Sequence, residues 1–173
     1  MQHQHYTIRY ARQPDLVTLP DIERAAATRF RNTRYAALAD ETDTAPVSAN
    51  VDLEHERVWI VDDPFGQPVG FAIVHLFDTS VHLHELDVHP AHAGRGLGRQ
   101  LIETVAAWAR DRGARALTLT TFADIPWNGP YYARLGFHTL NVTALSPSLQ
   151  KVRQEECDAG LPMAQRICMQ LDL

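Results

Sequence analysis

The stretch that decides the fold reads Leu86-Asp87-Val88-His89-Pro90, followed by Gly94-Arg95-Gly96-Leu97-Gly98 and an apolar run over 101–108. Polar and apolar residues alternate over 81–88, which predicts a strand that stops at Pro90. After Gly98, apolar residues recur with helical spacing and reach Gly113, a residue suited to end a helix. The stretch therefore predicts a strand, a tight glycine turn and a helix.

The glycine turn has a chemical meaning of its own. A turn that leads into a helix N-terminus brings unpaired backbone N–H groups and the positive end of the helix dipole together, which favours an anion and most naturally a phosphate. Glycines suit this position because a side chain would hold the phosphate away from the amides. The turn lacks the rest of a dinucleotide motif and a Gly-Lys-Ser/Thr ending. A plain tight turn is the alternative interpretation.

Two motifs together resemble a known family. The pattern Val88-x-Pro90-x-x-x-Gly94-Arg95-Gly96-Leu97-Gly98 resembles motif A of the GNAT family of N-acetyltransferases, which bind the pyrophosphate of acetyl-CoA in this loop. That motif begins with Arg or Gln, and this chain has Ala93 there. The segment 132–137, Tyr-Ala-Arg-Leu-Gly-Phe, follows Asn128 and resembles the Asn…Tyr-x-x-x-Gly-Phe ending of the same family. The two motifs occur in the family's order and at its usual separation.

The resemblance implies acetyl-CoA as co-substrate and names the residues that would bind it. The backbone near Val88 would pair with the pantetheine arm, and an amide there would polarise the thioester carbonyl. The loop amides would bind the pyrophosphate, with Arg95 and Arg99 adding charge. Asn128 matches a residue that contacts the cofactor, although a helix-capping role would also explain it. The implied contacts are Leu86, Asp87, Val88, Ala93, Gly94, Arg95, Gly96, Leu97, Gly98, Arg99 and Asn128.

Two further residues are candidates for proton transfer. Glu85 occupies a position where the resembled family often has a glutamate that deprotonates the amine, directly or through water. Tyr132 matches the family's tyrosine, which protonates the coenzyme A thiolate. The alternatives are an acidic residue on an exposed strand face and an ordinary aromatic on an amphipathic helix. His82 or His84 is an alternative base, because histidine titrates in the useful range.

Two other functions stay open at this stage. His82 and His84 lie on one face of the predicted strand, a geometry compatible with two metal ligands, but no further ligands are recognisable and no metal is predicted. A metal-dependent hydrolase is therefore the least favoured alternative. Ala93 leaves room for a regulatory module that binds acyl-CoA without turning it over, although such a module would have no need of Glu85 and Tyr132.

The remaining periodicity predicts an α/β protein with a mixed sheet. The resemblance narrows this to the GNAT-like fold, a central and mostly antiparallel sheet flanked by helices, in one domain over residues 1–173. The strand before the glycine loop is expected to lie parallel to the next one. Helices are predicted from a capping box of Thr18 and Asp21, at 35–38, after Gly98, after Asn128 and from Pro147 to Gly160. Strands are predicted at 6–10, 58–61, 69–76, 81–88, 116–120, 137–142 and 166–171.

Composition narrows the class of partner. The chain has 173 residues, a net charge of −5 and two cysteines outside any CxxC pattern, which argues against nucleic acid and a zinc cluster. No run of about 18 apolar residues is present, and the N-terminus lacks a secretion signal, so we expect a cytoplasmic and bacterial protein without a membrane partner. The acceptor is expected to be a small-molecule or peptide amine, bound near 32–50, Trp59 and Trp127. A homodimer is possible.

Overall fold

The computed structural model describes residues 5–40 and 45–173. The strands of these ranges form a seven-stranded sheet, with helices between them. The strands are β1 Thr7–Tyr10, β2 Arg57–Asp62, β3 Pro68–Leu76, β4 Ser80–Val88, β5 Ala116–Phe122, β6 His138–Thr139 and β7 Arg166–Asp172. The helices are α1 Leu19–Ala27, α2 Ala37–Asp40, α3 Leu97–Asp111, α4 Gly129–Arg134 and α5 Pro147–Asp158. No helix of the described residues has the length and apolar character that crossing a membrane requires.

The sheet is mixed, as the sequence predicts. The strand order is β1-β2-β3-β4-β5-β7-β6. β4 and β5 run parallel and are joined by α3, whereas the β1–β2, β2–β3, β5–β7 and β6–β7 ladders are antiparallel. The predicted mixed α/β class and the predicted parallel crossover are therefore confirmed.

The described chain forms two compact units. The first comprises the residues up to 75 and 85–105, and the second comprises 76–84 and 106–173. In the first unit, α1 buries Leu19, Ile22 and Ala26, which share one helix face because they are three and four residues apart. The core here consists of Leu19, Ile22, Val58, Ile60, Phe71 and Ile73. The single domain predicted over residues 1–173 stays a prediction.

The second unit has its own core around α5 and β7. Leu145, Leu149 and Cys168 are buried there. The Oγ atom of Ser146 accepts a hydrogen bond of 3.3 Å from the Leu149 N–H, and Gly160 follows the helix with φ +82°. The predicted start and stop of this helix are thus confirmed, and Ser146 caps it.

The predicted capping box at Thr18 and Asp21 is wrong. The chain already forms a 3-10 helix over Gln13–Thr18, which runs directly into α1. The Thr18 hydroxyl donates to the Asp15 carbonyl over 2.8 Å, so it makes no cap. The capping carboxylate lies upstream, where Asp15 accepts a bond of 2.6 Å from the Arg12 N–H.

The predicted strand over 137–142 is shorter than expected. β6 contains only His138 and Thr139, because Asn141 redirects the chain. Its Oδ1 accepts hydrogen bonds from the Thr143 N–H at 3.0 Å and the Thr143 hydroxyl at 2.9 Å. Such a side-chain turn competes with strand pairing. The short helix predicted at 35–38 begins two residues later. Within the segment 32–50, where the acceptor is expected to bind, residues 41–44 lie outside the described residues.

Candidate functional site

The glycine loop has the backbone geometry that its sequence predicts. A 3-10 turn over Pro90–His92 follows β4, and Gly94 and Gly96 then adopt φ values of +74° and +75°. These left-handed conformations cost glycine little, whereas other residues adopt them at a penalty. The two glycines deliver the chain to Leu97, the first residue of α3, and both are exposed. The loop therefore presents a helix N-terminus with solvent-accessible backbone.

The side chains of the glycine loop and of the first turn of α3 differ in the charge that they offer to a ligand. Ala93 is exposed and offers no polar group. The Arg95 guanidinium lies over the Tyr6 ring, 5.8 Å from its centroid. The Arg99 Nε donates to Glu103 over 2.7 Å, which is the i to i+4 pair of an exposed helix face. Arg95 is thus exposed at the loop, whereas Arg99 already has a carboxylate partner.

The end of β4 lies against β3. The His89 N–H donates to the Val69 carbonyl over 2.8 Å. The contact with β3 therefore continues past Val88, the last residue of β4. Leu86, Asp87 and Val88 are half-buried. In the second unit, β4 pairs with β5 from Ser80–Ala116 to Leu83–Leu119. Beyond this pair, Thr120–Phe122 pair with β7.

Glu85 and Asp87 share one face of β4 because they are two residues apart. The pKa of Asp87 is raised well above its ordinary value, first by desolvation and then by the nearby charges of Glu85 and Glu23. Arg29 opposes this shift. Asp87 is half-buried, and loss of hydration is the largest cause of the shift in its pKa. The first unit therefore has a carboxyl that keeps its proton to a higher pH than an ordinary aspartate does.

The Asp87 carboxyl is a feature that the sequence reasoning missed. Only its backbone was expected to matter, yet its spacing from Glu85 already places both side chains on one face. The contribution of Glu23 could not be read from the sequence, since it comes from α1. The Glu23 carboxylate is itself held by the Val47 N–H at 2.8 Å, the Ser48 N–H at 2.8 Å and the Ser48 hydroxyl at 2.5 Å.

Asn128 and Tyr132 belong to the second unit. Asn128 precedes α4, but its side chain makes no capping hydrogen bond, because its φ of −115° and ψ of −112° differ from the extended conformation that a cap requires. The alternative explanation of Asn128 as a side-chain cap is therefore wrong. Gly129 follows, and a Cβ there would lie 2.9 Å from the Ala123 carbonyl oxygen.

Tyr132 is half-buried on α4 among aromatic rings. Its ring meets those of Tyr131 and Phe137 edge to face, with centroids 5.4 Å and 5.6 Å away. Its carbonyl accepts hydrogen bonds from Leu135 and Phe137, and Gly136 closes the helix with φ +96°. These contacts fix the tyrosine at the end of α4, where the second motif predicts it.

The two histidines of β4 have different surroundings. His82 is buried, its Nδ1 lies 3.0 Å from the Thr118 hydroxyl, and its ring stacks on Phe77 at 5.3 Å. His84 is half-buried, with its ring centroid 6.4 Å from that of His82. The contacts of His82 are those of a histidine in a core. Among the described residues, a group with metal-ligand spacing consists of the exposed Asp52, Glu54 and His55.

Comparison with known proteins finds a matching family model and solved structures of the same fold. The family model described as the acetyltransferase (GNAT) family matches residues 19–137, which include the glycine loop and the Tyr132 motif. An acetyltransferase of the GNAT family from Staphylococcus aureus Mu50 superposes with a TM-score of 0.73 at 13% identity, over 98% of this chain and 99% of that chain. The PaiA N-acetyltransferase from Thermoplasma acidophilum, solved in complex with coenzyme A, gives 0.71 at 13% identity, with coverage of 98% and 99%. The ribosomal-protein-S18-alanine N-acetyltransferase from Escherichia coli gives 0.67 at 19% identity, with coverage of 97% and 94%.

Proposed function

Because the chain belongs to the acetyltransferase (GNAT) family, we propose that it transfers an acetyl group from acetyl-CoA directly to a primary amine. The observation that carries this proposal is the pair of left-handed glycines, Gly94 and Gly96, at the exposed N-terminus of α3. Backbone amides at such a terminus suit the pyrophosphate of acetyl-CoA. Ala93 supplies no side-chain donor, so binding there depends on the amides and on Arg95.

The end of β4 supplies the proposed contacts for the rest of the co-substrate. The backbone of Leu86–Val88, at the end of β4, is the proposed partner of the pantetheine arm. An amide of this segment is the proposed donor to the thioester oxygen as it gains negative charge. Alignment of the reactants is the main contribution of such a site, worth about 7–11 kcal/mol of the barrier.

Proton transfer completes the proposed reaction. A primary amine with a pKa of about 10.4 is mostly protonated at neutral pH. A base must therefore take a proton before the nitrogen attacks the thioester carbon. Glu85 is the proposed base. As the carbon–sulfur bond breaks, the thiolate takes a proton, for which the Tyr132 hydroxyl is the proposed donor. The second proton that the nitrogen loses on becoming an amide restores this hydroxyl. The acceptor is proposed to be a small-molecule or peptide amine.

Calorimetric titration with acetyl-CoA tests the proposal. We expect binding by the wild-type chain and a loss of affinity in Gly96→Val, because valine at φ +75° strains the loop and intrudes between its amides and the phosphate. Gly66→Val is the matched control, since Gly66 has φ +78° in the turn between β2 and β3. The control should lose stability but keep its affinity. Absence of binding by the wild-type chain would contradict the proposal.

Thiol release with a panel of amines then tests turnover. Glu85→Gln should lower the rate with an alkylamine more than the affinity for acetyl-CoA, because the amide cannot accept the ammonium proton. Tight binding without thiol release from any amine would instead favour the non-catalytic acyl-CoA-binding module, which Ala93 leaves open. The cytoplasmic location stays a prediction that cell fractionation tests, and the homodimer stays a prediction that light scattering tests. The bacterial source also stays a prediction.

A further inference from the structure

Tyr6, just ahead of β1, contacts the turn and the loop that precede α3. Its hydroxyl lies 3.0 Å from the Nδ1 of His92, and the two rings meet edge to face with centroids 5.8 Å apart. The Arg95 guanidinium lies over the same tyrosine ring. One aromatic side chain, 86 residues away in sequence from His92, thus contacts both residues that flank Ala93 and Gly94.

The hydrogen bond engages Nδ1 of His92 and leaves Nε2 as the other polar atom of the ring. When the tyrosine hydroxyl donates to Nδ1, the imidazole proton lies on Nε2, so the outer nitrogen becomes a donor. The ring contact acts on Arg95 in a similar way, because a guanidinium over an aromatic face is restrained while its N–H groups stay available. Tyr6 therefore contacts two side chains that can donate hydrogen bonds at the edge of the glycine loop.

We propose that Tyr6 is a positioning residue for the phosphates of acetyl-CoA, and that His92 and Arg95 supply the side-chain donors that Ala93 lacks. This inference rests on the proposed function of the loop. Alanine removes the one side chain that the family motif places at the start of this turn, and the two neighbouring positions carry groups that can bind phosphate oxygens. Both are fixed by a residue outside the motif.

Binding measurements on Tyr6 variants test the proposal. We expect Tyr6→Ala to raise the Kd of coenzyme A about tenfold, because both contacts are lost, and Tyr6→Phe about threefold, because only the hydrogen bond is lost. The kcat at saturating acetyl-CoA and the KM for the amine should stay unchanged. Tyr10→Ala is the matched control: it removes a tyrosine from β1 that contacts Trp59 at 5.1 Å, and its Kd should equal that of the wild type.

A double-mutant cycle separates positioning from general stability. In a His92→Ala background, Tyr6→Phe should have no further effect on the Kd, since the hydroxyl has lost its partner. Repeating the titrations with 3′-dephospho-coenzyme A identifies the phosphate: an equal loss assigns the pair to the pyrophosphate, and a loss for coenzyme A alone assigns it to the 3′-phosphate. Either result supports the proposal.

Three results would overturn the inference while the proposed function stands. These are a wild-type Kd in Tyr6→Ala, an equal loss of affinity in Tyr10→Ala, and fully additive effects of Tyr6→Phe and His92→Ala. By contrast, failure of the wild-type chain to bind coenzyme A would overturn the proposed function and this inference together.

Discussion

A side chain on Gly70 would place its Cβ 2.9 Å from the carbonyl oxygen of Asp87 and 3.2 Å from the Val88 Cγ2. Gly70 lies in β3, and Asp87 and Val88 form the end of β4. The absence of a side chain at Gly70 therefore allows the end of β4 to approach β3 this closely. The position of the proposed pantetheine-binding segment depends on a residue in a neighbouring strand.

Gly70→Ala should displace the end of β4 and weaken acetyl-CoA binding. The nearest contact would be with the backbone carbonyl of Asp87, which cannot rotate away, so we also expect a loss of about 1–3 kcal/mol of stability. Calorimetry and thermal denaturation measure the two effects. Ala72→Gly in the same strand is the control, because it weakens β3 by about 1 kcal/mol without adding an atom near Asp87. Equal affinities in both variants would disprove the dependence on Gly70.

Tyr132→Phe should lower kcat by about a hundredfold while leaving the Kd of coenzyme A unchanged. The variant keeps the ring contacts with Tyr131 and Phe137 but loses the hydroxyl that is proposed to protonate the thiolate. Tyr131→Phe, a change in the adjacent half-buried tyrosine, should have little effect on kcat. A comparable loss of coenzyme A affinity in Tyr132→Phe would contradict the assigned role.

Asp87→Asn should raise the melting temperature at neutral pH. Because the pKa of Asp87 is raised in the folded chain, the unfolded chain loses its proton first, at the ordinary value of 3.8. Wild-type stability therefore falls as the pH rises from 3.8 to the raised value, whereas the asparagine variant lacks this loss. Melting temperatures across this range measure the difference, and Asp78→Asn, at an exposed position, serves as the control. A constant difference at every pH would rule out the raised pKa.

Arg9→Met should destabilise the chain by about 1–3 kcal/mol at neutral pH. Arg9 donates to Asp15 at 2.7 Å and 2.9 Å and to Asp62 at 2.5 Å and 3.0 Å, and all three side chains are largely buried. The hydrogen bonds from Arg9 are the main cause of the lowered pKa of Asp15. That part of the stability is present above the ordinary value of 3.8 and is lost as the pH falls, so the effect should shrink in acid.

The exposed pair of Arg24 and Asp21 provides the comparison for Arg9. Their charged atoms lie 3.1 Å apart, and 62% and 86% of the side chains are exposed. Arg24→Met should therefore change the free energy of unfolding by less than about 1 kcal/mol, with little dependence on pH. Chemical denaturation at several pH values measures both variants. Equal effects of the two substitutions would contradict the importance of burial.

Local patterns predicted most of the fold. The alternation of polar and apolar residues predicted β4 and β5, and helical spacing predicted α3 and α5. The positive φ values of Gly94 and Gly96 fit the tight glycine turn that the sequence predicts. The errors arose where a side chain competes with the backbone. The Asn141 turn shortens β6, and Asp15 moves the capping interaction away from Thr18. Such bonds depend on dihedral angles that hydrophobic periodicity does not encode.

Part of the candidate site depends on contacts between distant parts of the sequence. The Tyr6 contact with His92 and the influence of Glu23 on Asp87 join segments that are far apart in the chain. No periodic pattern links such residues, so one sequence could not predict them. The sequence did identify Glu85, Tyr132 and the glycine loop as candidates, because a few residues in fixed order are enough to recognise such motifs. Their roles stay predictions until the variants are measured.

The terminal position of β1 in the sheet has a consequence for solubility. In the strand order of the described residues, β1 has β2 as its neighbour on one side, so its other side is a strand edge. Strand edges can template pairing with another chain and so promote aggregation. This strand has four residues, and so short an edge limits such pairing.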